Sequence, residues 1–326
     1  MPNKQLPAKL NSSISIVLPT YNNERTIKKC LDGIFMQNFP KNKFEVIIID
    51  GGSTDRTLEI CQNYNVKLLK NKFRVEEKGR VIGVKASKKE IVGFIDADNI
   101  ILDKNFFKKI IFPFVDKNIS AVDTLYFDYE DKDTLATKYC ALLSGDDPYS
   151  IYLGLNDRLC FFNGKWTGMK HQEEDKGEYL KVKILKDNVP AMGSNGFFVR
   201  KKVFSKVKYD PFIHTDFVNE MVENGYDTFG KAKVGIKHDL INFMDFFKKK
   251  IRRIKRRKRK EIVLKHEHNV SFLEIVWYSI LFLTFIVPVF DAFRGYFRKK
   301  DLVWFFHPLL CFGVCCVYFY GSIFYR

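Results

Sequence analysis

Asp96 and Asp98 stand one residue apart in Gly93-Phe94-Ile95-Asp96-Ala97-Asp98-Asn99, directly after an apolar run that begins at Ile91. In extended chain, side chains at i and i+2 point the same way, so the pair can converge on one cation where a strand ends. A hard divalent ion such as Mg2+ or Mn2+ takes few carboxylates and completes its shell with substrate phosphates. That is chemistry for moving a group carried on a nucleoside diphosphate. Asp-x-Asp is also a common surface turn, so the neighbouring elements carry the reading.

Residues 14–18, 44–50, 66–69 and 91–95 are short, rich in β-branched residues and apolar, as buried parallel strands are. Between them, 24–37, 54–64 and 75–87 have helical patterns, with Ser53 expected as the cap of the second helix and Asp55 in its first turn. Strand-helix-strand repetition predicts a right-handed, open, mainly parallel α/β sheet flanked by helices, with ligands at the carboxyl ends of its strands. Asp50 and Asp96 both occupy such ends. Further on, 121–127 reads as a strand and 216–224 as a helix stopped by Gly225. Residues 143–189, which hold Asp146, Asp147, Tyr149, Trp166 and His171, show no assignable period.

Of the formal net charge of +17, eleven positive charges lie in 248–260, leaving +6 for the rest. Leu240, Phe243, Phe247, Ile251 and Ile254 recur there at helical spacing, which predicts a basic amphipathic helix in the headgroup layer of a membrane rather than a nucleic-acid-binding arm. Residues 271–290 and 302–324 are each long enough to cross about 30 Å of hydrocarbon. With the short linker 291–301 they predict a transmembrane hairpin, and the basic run puts the N-terminal domain and the C-terminus on the cytoplasmic side. The expected organisation is therefore a catalytic domain over 1–239, a basic interfacial segment over 240–269 and the hairpin over 270–326, a multi-pass membrane protein. The polar stretch 1–13 predicts no cleavable signal peptide. Seven cysteines without metal-binding or disulfide spacing fit a reducing compartment.

Ile16-Val17-Leu18-Pro19-Thr20-Tyr21-Asn22-Asn23-Glu24, then Ile49-Asp50-Gly51-Gly52-Ser53, then Phe94-Ile95-Asp96-Ala97-Asp98, resemble in order and spacing the family 2 glycosyltransferases of the GT-A fold. The likeness continues through Gly193-Ser194-Asn195-Gly196, similar to that family's acceptor-side glycine segment. Asp216-Phe217-Val218 is similar to its acidic helix, and Val234-Gly235-Ile236-Lys237-His238 to the strand and histidine after it. Residues 13–238 carry the resemblance.

The resemblance implies a membrane-anchored, metal-dependent, inverting transfer of a sugar from a nucleotide-sugar donor to a membrane-associated acceptor, a polyprenyl-linked glycan or polyprenyl phosphate. Pro19, Thr20, Tyr21, Glu24, Asp50, Arg80 and Asp96 are then the donor side. The Tyr21 ring face suits a nucleobase, and Asp50 suits a base N–H or ribose hydroxyl. Asp98 with Asp96 holds Mg2+ or Mn2+, joined by His238. Asp216 is the base for the acceptor hydroxyl, and Gly193, Ser194 and Asn195 lie on the acceptor side. Two departures stand out: Gly51 replaces a second Asp of the family's Asp-Asp-Gly-Ser, and His214-Thr215 precede Asp216 where relatives place Glu. The Gln-x-x-Arg-Trp motif of processive synthases is absent, which favours one sugar per encounter. A nucleotidyltransferase on a similar sheet, or a membrane-tethered nucleotide-sugar-binding protein without turnover, are the competing readings.

Overall fold

The computed structural model describes residues 12–240, 242–259 and 263–324. Its chain groups into two compact units, one built from the residues up to Leu125 with Lys170–Asp239, the other from Tyr126–Met169 with the residues from Leu240 on. Residues 126–169, placed by the sequence reading within a domain 1–239, thus group with the C-terminal residues.

The first unit is a mixed sheet flanked by helices. Its strands are β1 (Ile14–Thr20), β2 (Phe44–Asp50), β3 (Lys67–Lys70), β4 (Ile91–Phe94), β5 (Asn99–Ile100), β6 (Ala121–Phe127, which runs on into the second unit), β7 (His171–Asp175), β8 (Tyr179–Ile184), β9 (Phe197–Arg200) and β10 (Thr228–His238). The order is β3-β2-β1-β4-β9-β6-β10-β8-β7, with β5 paired to β10. β3, β2, β1 and β4 run parallel, in the half that carries the strand-end aspartates. Beyond β4 the pairings β4–β9, β6–β9, β8–β10 and β7–β8 are antiparallel. β1 is buried along its whole length, Ser15 and Thr20 included, as a mainly apolar strand inside a covered parallel sheet is. β3 is not: it is the outermost strand, and its residues are largely exposed where burial was expected. β7 is exposed and mostly acidic or polar, so no hydrophobic alternation announced it.

The helices of this unit are α1 (Ile27–Phe35), α2 (Thr57–Cys61), α3 (Glu76–Ala86) and α4 (Phe106–Ile111). α3 lies close on the sheet because Gly79 and Gly83, one turn apart, face it. A Cβ on Gly83 would stand 2.3 Å from Val17 Cγ1 and 2.9 Å from Ile49 Cδ1. α2 is shorter than expected and Ser53 does not cap it. Its first N–H is met instead by Asp55, whose Oδ1 accepts from Thr57 N at 3.0 Å and from the Thr57 hydroxyl at 2.5 Å.

The second unit contains α5 (Leu135–Leu143) and α6 (Pro148–Tyr152), and the first unit supplies α7 (His214–Glu223) before β10. After β10 come α8 (Phe243–Lys258), α9 (Phe272–Thr284), α10 (Ile286–Arg298) and α11 (His307–Phe324). Tyr139, Leu142, Leu143, Ile151, Phe162, Val303, Trp304 and Leu310 form one core of this unit. Two expectations fail here. The segment 271–290 is not one crossing helix: α9 and α10, 13 residues each, meet at a 77° bend where Phe285 takes φ 61°. The linker 291–301 is mostly helical, since α10 continues to Arg298. Among the described residues one unbroken helical stretch, Leu302–Gly321, is long and apolar enough to cross a bilayer.

Candidate active site

The loop after β1 and the loop after β2 are laced together by side chains. Asn23 Oδ1 accepts from Thr20 Oγ1 and Tyr21 N, both at 3.0 Å, and Asn23 N donates to Thr57 Oγ1 at 2.8 Å. Asn22, at φ 49°, donates its N–H to Ser53 Oγ and accepts from Thr54 N. Glu24 accepts from Arg56 N at 3.2 Å while its own N–H reaches Asp55 at 3.1 Å. Thr20 and Glu24 therefore build the loops, the first buried and the second exposed, and Tyr21 presents its side chain outward, 56% exposed.

Asp50 closes β2 and is buried. Its carboxylate accepts from Gly52 N at 2.9 Å, from Ser53 N at 3.1 Å and from Ser53 Oγ at 2.6 Å. Much of its acceptor capacity holds the turn, and what remains is available to a ligand. Gly51 packs against Tyr21: a Cβ there would lie 3.4 Å from Tyr21 Cβ. The glycine that replaces the relatives' second Asp is thus the floor under the exposed ring.

Arg80 is buried on α3 and donates from Nη2 to Asp96 Oδ1 at 2.8 Å; the same nitrogen pairs with Glu76 one turn back. Burial works against its charge, but Glu76 and Asp96 outweigh that and hold its pKa above the ordinary arginine range. Its guanidinium also lies 5.9 Å from the Phe212 ring centroid. Arg80 is therefore no surface arginine. Glu76 went unnoticed in the sequence, although Glu-x-x-x-Arg on a helix is a recognisable pair.

Asp98 and His238 meet because β5 bridges β10, with Asn99 opposite His238. His238 Nε2 stands 3.1 Å from Asp98 Oδ2. Their side chains are 12% and 25% exposed, so the pair is mostly buried and still reached by solvent. Asn99, fully buried, braces the turn by accepting from Asp96 N at 3.1 Å and donating to Asp98 Oδ1 at 3.4 Å. Asn99 was missed as a site residue; an Asn closing an Asp-x-Asp turn is the signal that names it. The next residue, Asp239, is pinned by Arg25 at 2.9 Å. Cys30 Sγ lies 3.6 Å from the Asp96 carbonyl oxygen, but burial first, then Asp98 and Asp96, push its thiol pKa well up, which makes it an inert core group.

A divalent cation fits the Asp98–His238 pair. Two adjacent ligands on an octahedral ion at about 2.1 Å stand about 3 Å apart, close to the spacing already present. A carboxylate with an imidazole suits Mn2+ or Mg2+ with its other positions left to phosphate and water.

The glycine segment expected on the acceptor side reaches the same strand ends. Gly196 N donates to Phe94 O at 2.8 Å, two residues before Asp96. Gly193 has φ 106°, and a Cβ there would stand 2.9 Å from Val218 Cγ2 and 3.0 Å from the His214 carbonyl oxygen, so this loop rests on the start of α7. Ser194 and Asn195 are half-buried beside it. Asp216 sits in the first turn of α7, also half-buried. α7 is held by Phe217, whose ring centroid is 4.8 Å from that of Phe212, which in turn is 4.5 Å from Phe94. The same Phe212 touches Arg80, which links the helix of Asp216 to the Asp96 pair.

The model of glycosyl transferase family 2 matches residues 15–207, more than half of the chain, and the chain belongs to that family. It is 38% identical over 93 residues to the poly(ribitol-phosphate) beta-N-acetylglucosaminyltransferase TarS of Staphylococcus aureus, a stretch covering 27% of this chain and 16% of that protein. Over 68 residues it is 41% identical to a dolichyl N-acetyl-alpha-D-glucosaminyl phosphate 3-beta-D-2,3-diacetamido-2,3-dideoxy-beta-D-glucuronosyltransferase of Methanococcus voltae, covering 19% of this chain and 21% of that one. The matches thus span only 16% and 21% of these relatives' lengths. In fold it is similar to the mannosyltransferase PcManGT of Pyrobaculum calidifontis, solved with GDP-Man and Mn2+, at a TM-score of 0.53 and 13% identity, covering 96% of this chain and 87% of that one.

Proposed function

We propose that this chain transfers a sugar, with inversion, from a nucleotide-sugar to a hydroxyl or phosphate oxygen of a membrane-associated, polyprenyl-linked acceptor. The observation that carries the reading is the pairing of Asp98 with His238 at 3.1 Å beside the Arg80–Asp96 ion pair, all at the strand ends of a family 2 sheet. Asp98 and His238 would hold Mg2+ or Mn2+, which when bound neutralises charge on the departing diphosphate. Arg80 fixes Asp96 Oδ1 and leaves its other oxygen for the donor ribose or the cation. Tyr21 offers its exposed ring to the nucleobase, while Pro19, Thr20, Glu24 and Asp50 shape that pocket.

With a hydroxyl acceptor, Asp216 takes the proton as the acceptor oxygen bonds to the anomeric carbon. The bond from that carbon to the diphosphate oxygen breaks, and the nucleoside diphosphate leaves with the electron pair. Gly193, Ser194 and Asn195, resting on α7, line the acceptor side. The relative that acts on a dolichyl-linked sugar and the apolar C-terminal unit support a lipid-linked acceptor and membrane attachment.

The test is a screen of nucleotide-sugars with detergent-solubilised protein and Mn2+ or Mg2+, reading the nucleotide released. Cation-dependent release of nucleoside diphosphate is expected. Pyrophosphate in its place assigns nucleotidyl transfer, and binding without release assigns a tethered binding protein.

A further inference from the structure

Most of the outward surface of α9 and α10 is apolar. Phe272, Leu273, Trp277, Phe290 and Phe297 are 58–76% exposed, and Leu309 on α11 is 60% exposed. Soluble monomers rarely leave such a run of large apolar side chains uncovered. Exposed cations stand on the adjoining elements: Lys248 and Arg252 on α8, which lies along α11, and Lys299 and Lys300 directly after α10. Apolar surface with cations beside it is complementary to an anionic lipid surface.

Three relationships inside this unit are incompatible with a bilayer-crossing hairpin. The first is the bend at Phe285, which leaves α9 and α10 about 20 Å long each, short of the ~30 Å hydrocarbon core. The second is the position of the turn between α10 and α11. Lys299 Nζ lies 6.0 Å from the Tyr129 ring centroid, the Tyr129 hydroxyl bonds to Asp301, and a Cβ on Gly164 would stand 2.8 Å from Arg298 Nη1. Tyr129 lies four residues beyond Leu125 of the sheet, amid Asp128, Glu130, Asp131 and Lys132, a stretch too charged for hydrocarbon. The turn is therefore on the same side as that stretch. The third is the helix beside α11. Gly313 receives the Phe247 ring, 2.6 Å from where its Cβ would be, and Gly321 receives Ile254 at 2.9 Å. Basic α8 and apolar α11 thus run side by side, in step, for about 10 Å. If α11 crossed the bilayer, α8 would take its lysines and arginines into the hydrocarbon with it.

We infer that the C-terminal unit is a one-leaflet seat on an anionic bilayer. α9, α10 and the outer side of α11 lie in the interface, α8 lies at headgroup depth, and the α10–α11 turn stays on the same side of the bilayer as the charged stretch around Tyr129. This deepens the membrane part of the proposed function without depending on sugar transfer.

The experiment uses the full chain in sealed membrane vesicles. Cys316 is the exposed one of the seven free cysteines, so Cys316→Ser gives a background into which Lys300→Cys or Lys132→Cys is placed. Both lysines are exposed and lie outside the proposed catalytic machinery. A membrane-impermeant maleimide is expected to label both variants from the same side, without permeabilisation. Labelling of the two from opposite sides would overturn the inference in favour of a crossing hairpin. Flotation of purified protein with phosphatidylcholine vesicles, with and without phosphatidylglycerol, is expected to show at least tenfold tighter association with the anionic ones. Failure to float with either, or dimerisation in sedimentation that shields Trp277 from a soluble quencher, would assign the apolar face to another occupant. Thermal melts confirm that each variant is folded, and nucleoside diphosphate release, measured separately, reports on the catalytic reading alone.

Discussion

Asp98 and His238 are 140 residues apart in the chain and 3.1 Å apart in space, joined by the two-residue bridge of Asn99–Ile100 to the end of β10. Asp98→Asn keeps the side chain's shape and removes the charge that a cation needs. Turnover is expected to fall on the order of a hundredfold, and His238→Ala to fall less, about tenfold, because one ligand remains. Manganese binding by electron paramagnetic resonance gives a readout besides activity. Normal manganese affinity in both variants would move the cation elsewhere.

Asp216→Asn preserves size and hydrogen bonding but cannot accept a proton. A rate loss of ~10²–10⁴ with donor affinity unchanged is expected, since the donor-side carboxylates are intact. Single-turnover rates set against donor binding by calorimetry decide it. Parental rate with normal binding would put the base on another residue.

Arg80→Gln leaves Glu76 and Asp96 facing each other without the cation between them. Donor affinity is expected to drop about tenfold and the melting temperature to fall, because one charge of a partly buried network has been removed from the others. Arg80→Lys should restore part of the stability but not the affinity, as an ammonium keeps the charge without the planar guanidinium that lies against Phe212. Equal recovery of both by lysine would make Arg80 a purely structural charge.

Gly83→Ala puts a methyl 2.3 Å from Val17 Cγ1 and forces α3 off the sheet. A cost of about 1–3 kcal/mol is expected in denaturant unfolding, with weakened donor binding because Arg80 rides on the same helix. Gly177→Ala, at an exposed turn with φ 87° and nothing within 4 Å, should lose less and leave the donor site unaffected.

Removing 271–326 is expected to damage the second unit rather than release a clean soluble domain. It strips Val303, Trp304 and Leu310 from the core around Tyr139 and Leu142, and takes away His307, which bonds Tyr139 at 2.7 Å and Tyr152 at 3.0 Å. Faster proteolysis within 126–169 of the truncated chain, read by mass spectrometry, checks this. Unchanged protection there would show that the segment is held without its C-terminal partners.

The chemistry was legible in the order of residues because strand ends in a parallel sheet are local events. Apolar runs ending at Thr20, Asp50 and Ile95 name the strands, and the loops just beyond such ends are where an open parallel sheet binds its ligands. Helix ends were less legible: Ser53 looked like a cap, but Asp50 claims it, and that competition appears only when the loop is folded. The edge position of β3 and the polar strand β7 also escaped, since their exposure depends on which strand lies beside them. Hydropathy alone measured 271–290 as one span. It could not see that Phe285 turns the chain, that Tyr129 holds the following turn, or that α8 lies along α11. Sequence by itself determined the family, the strand-end carboxylates and the apolar, cation-rich character of the C-terminus, because those are properties of composition and short-range spacing. Tertiary structure alone decided that His238 reaches Asp98, that Arg80 is buried against Asp96, and that the chain bends by 77° between α9 and α10. The first two join residues far apart in the chain, and no local preference encodes such a distance.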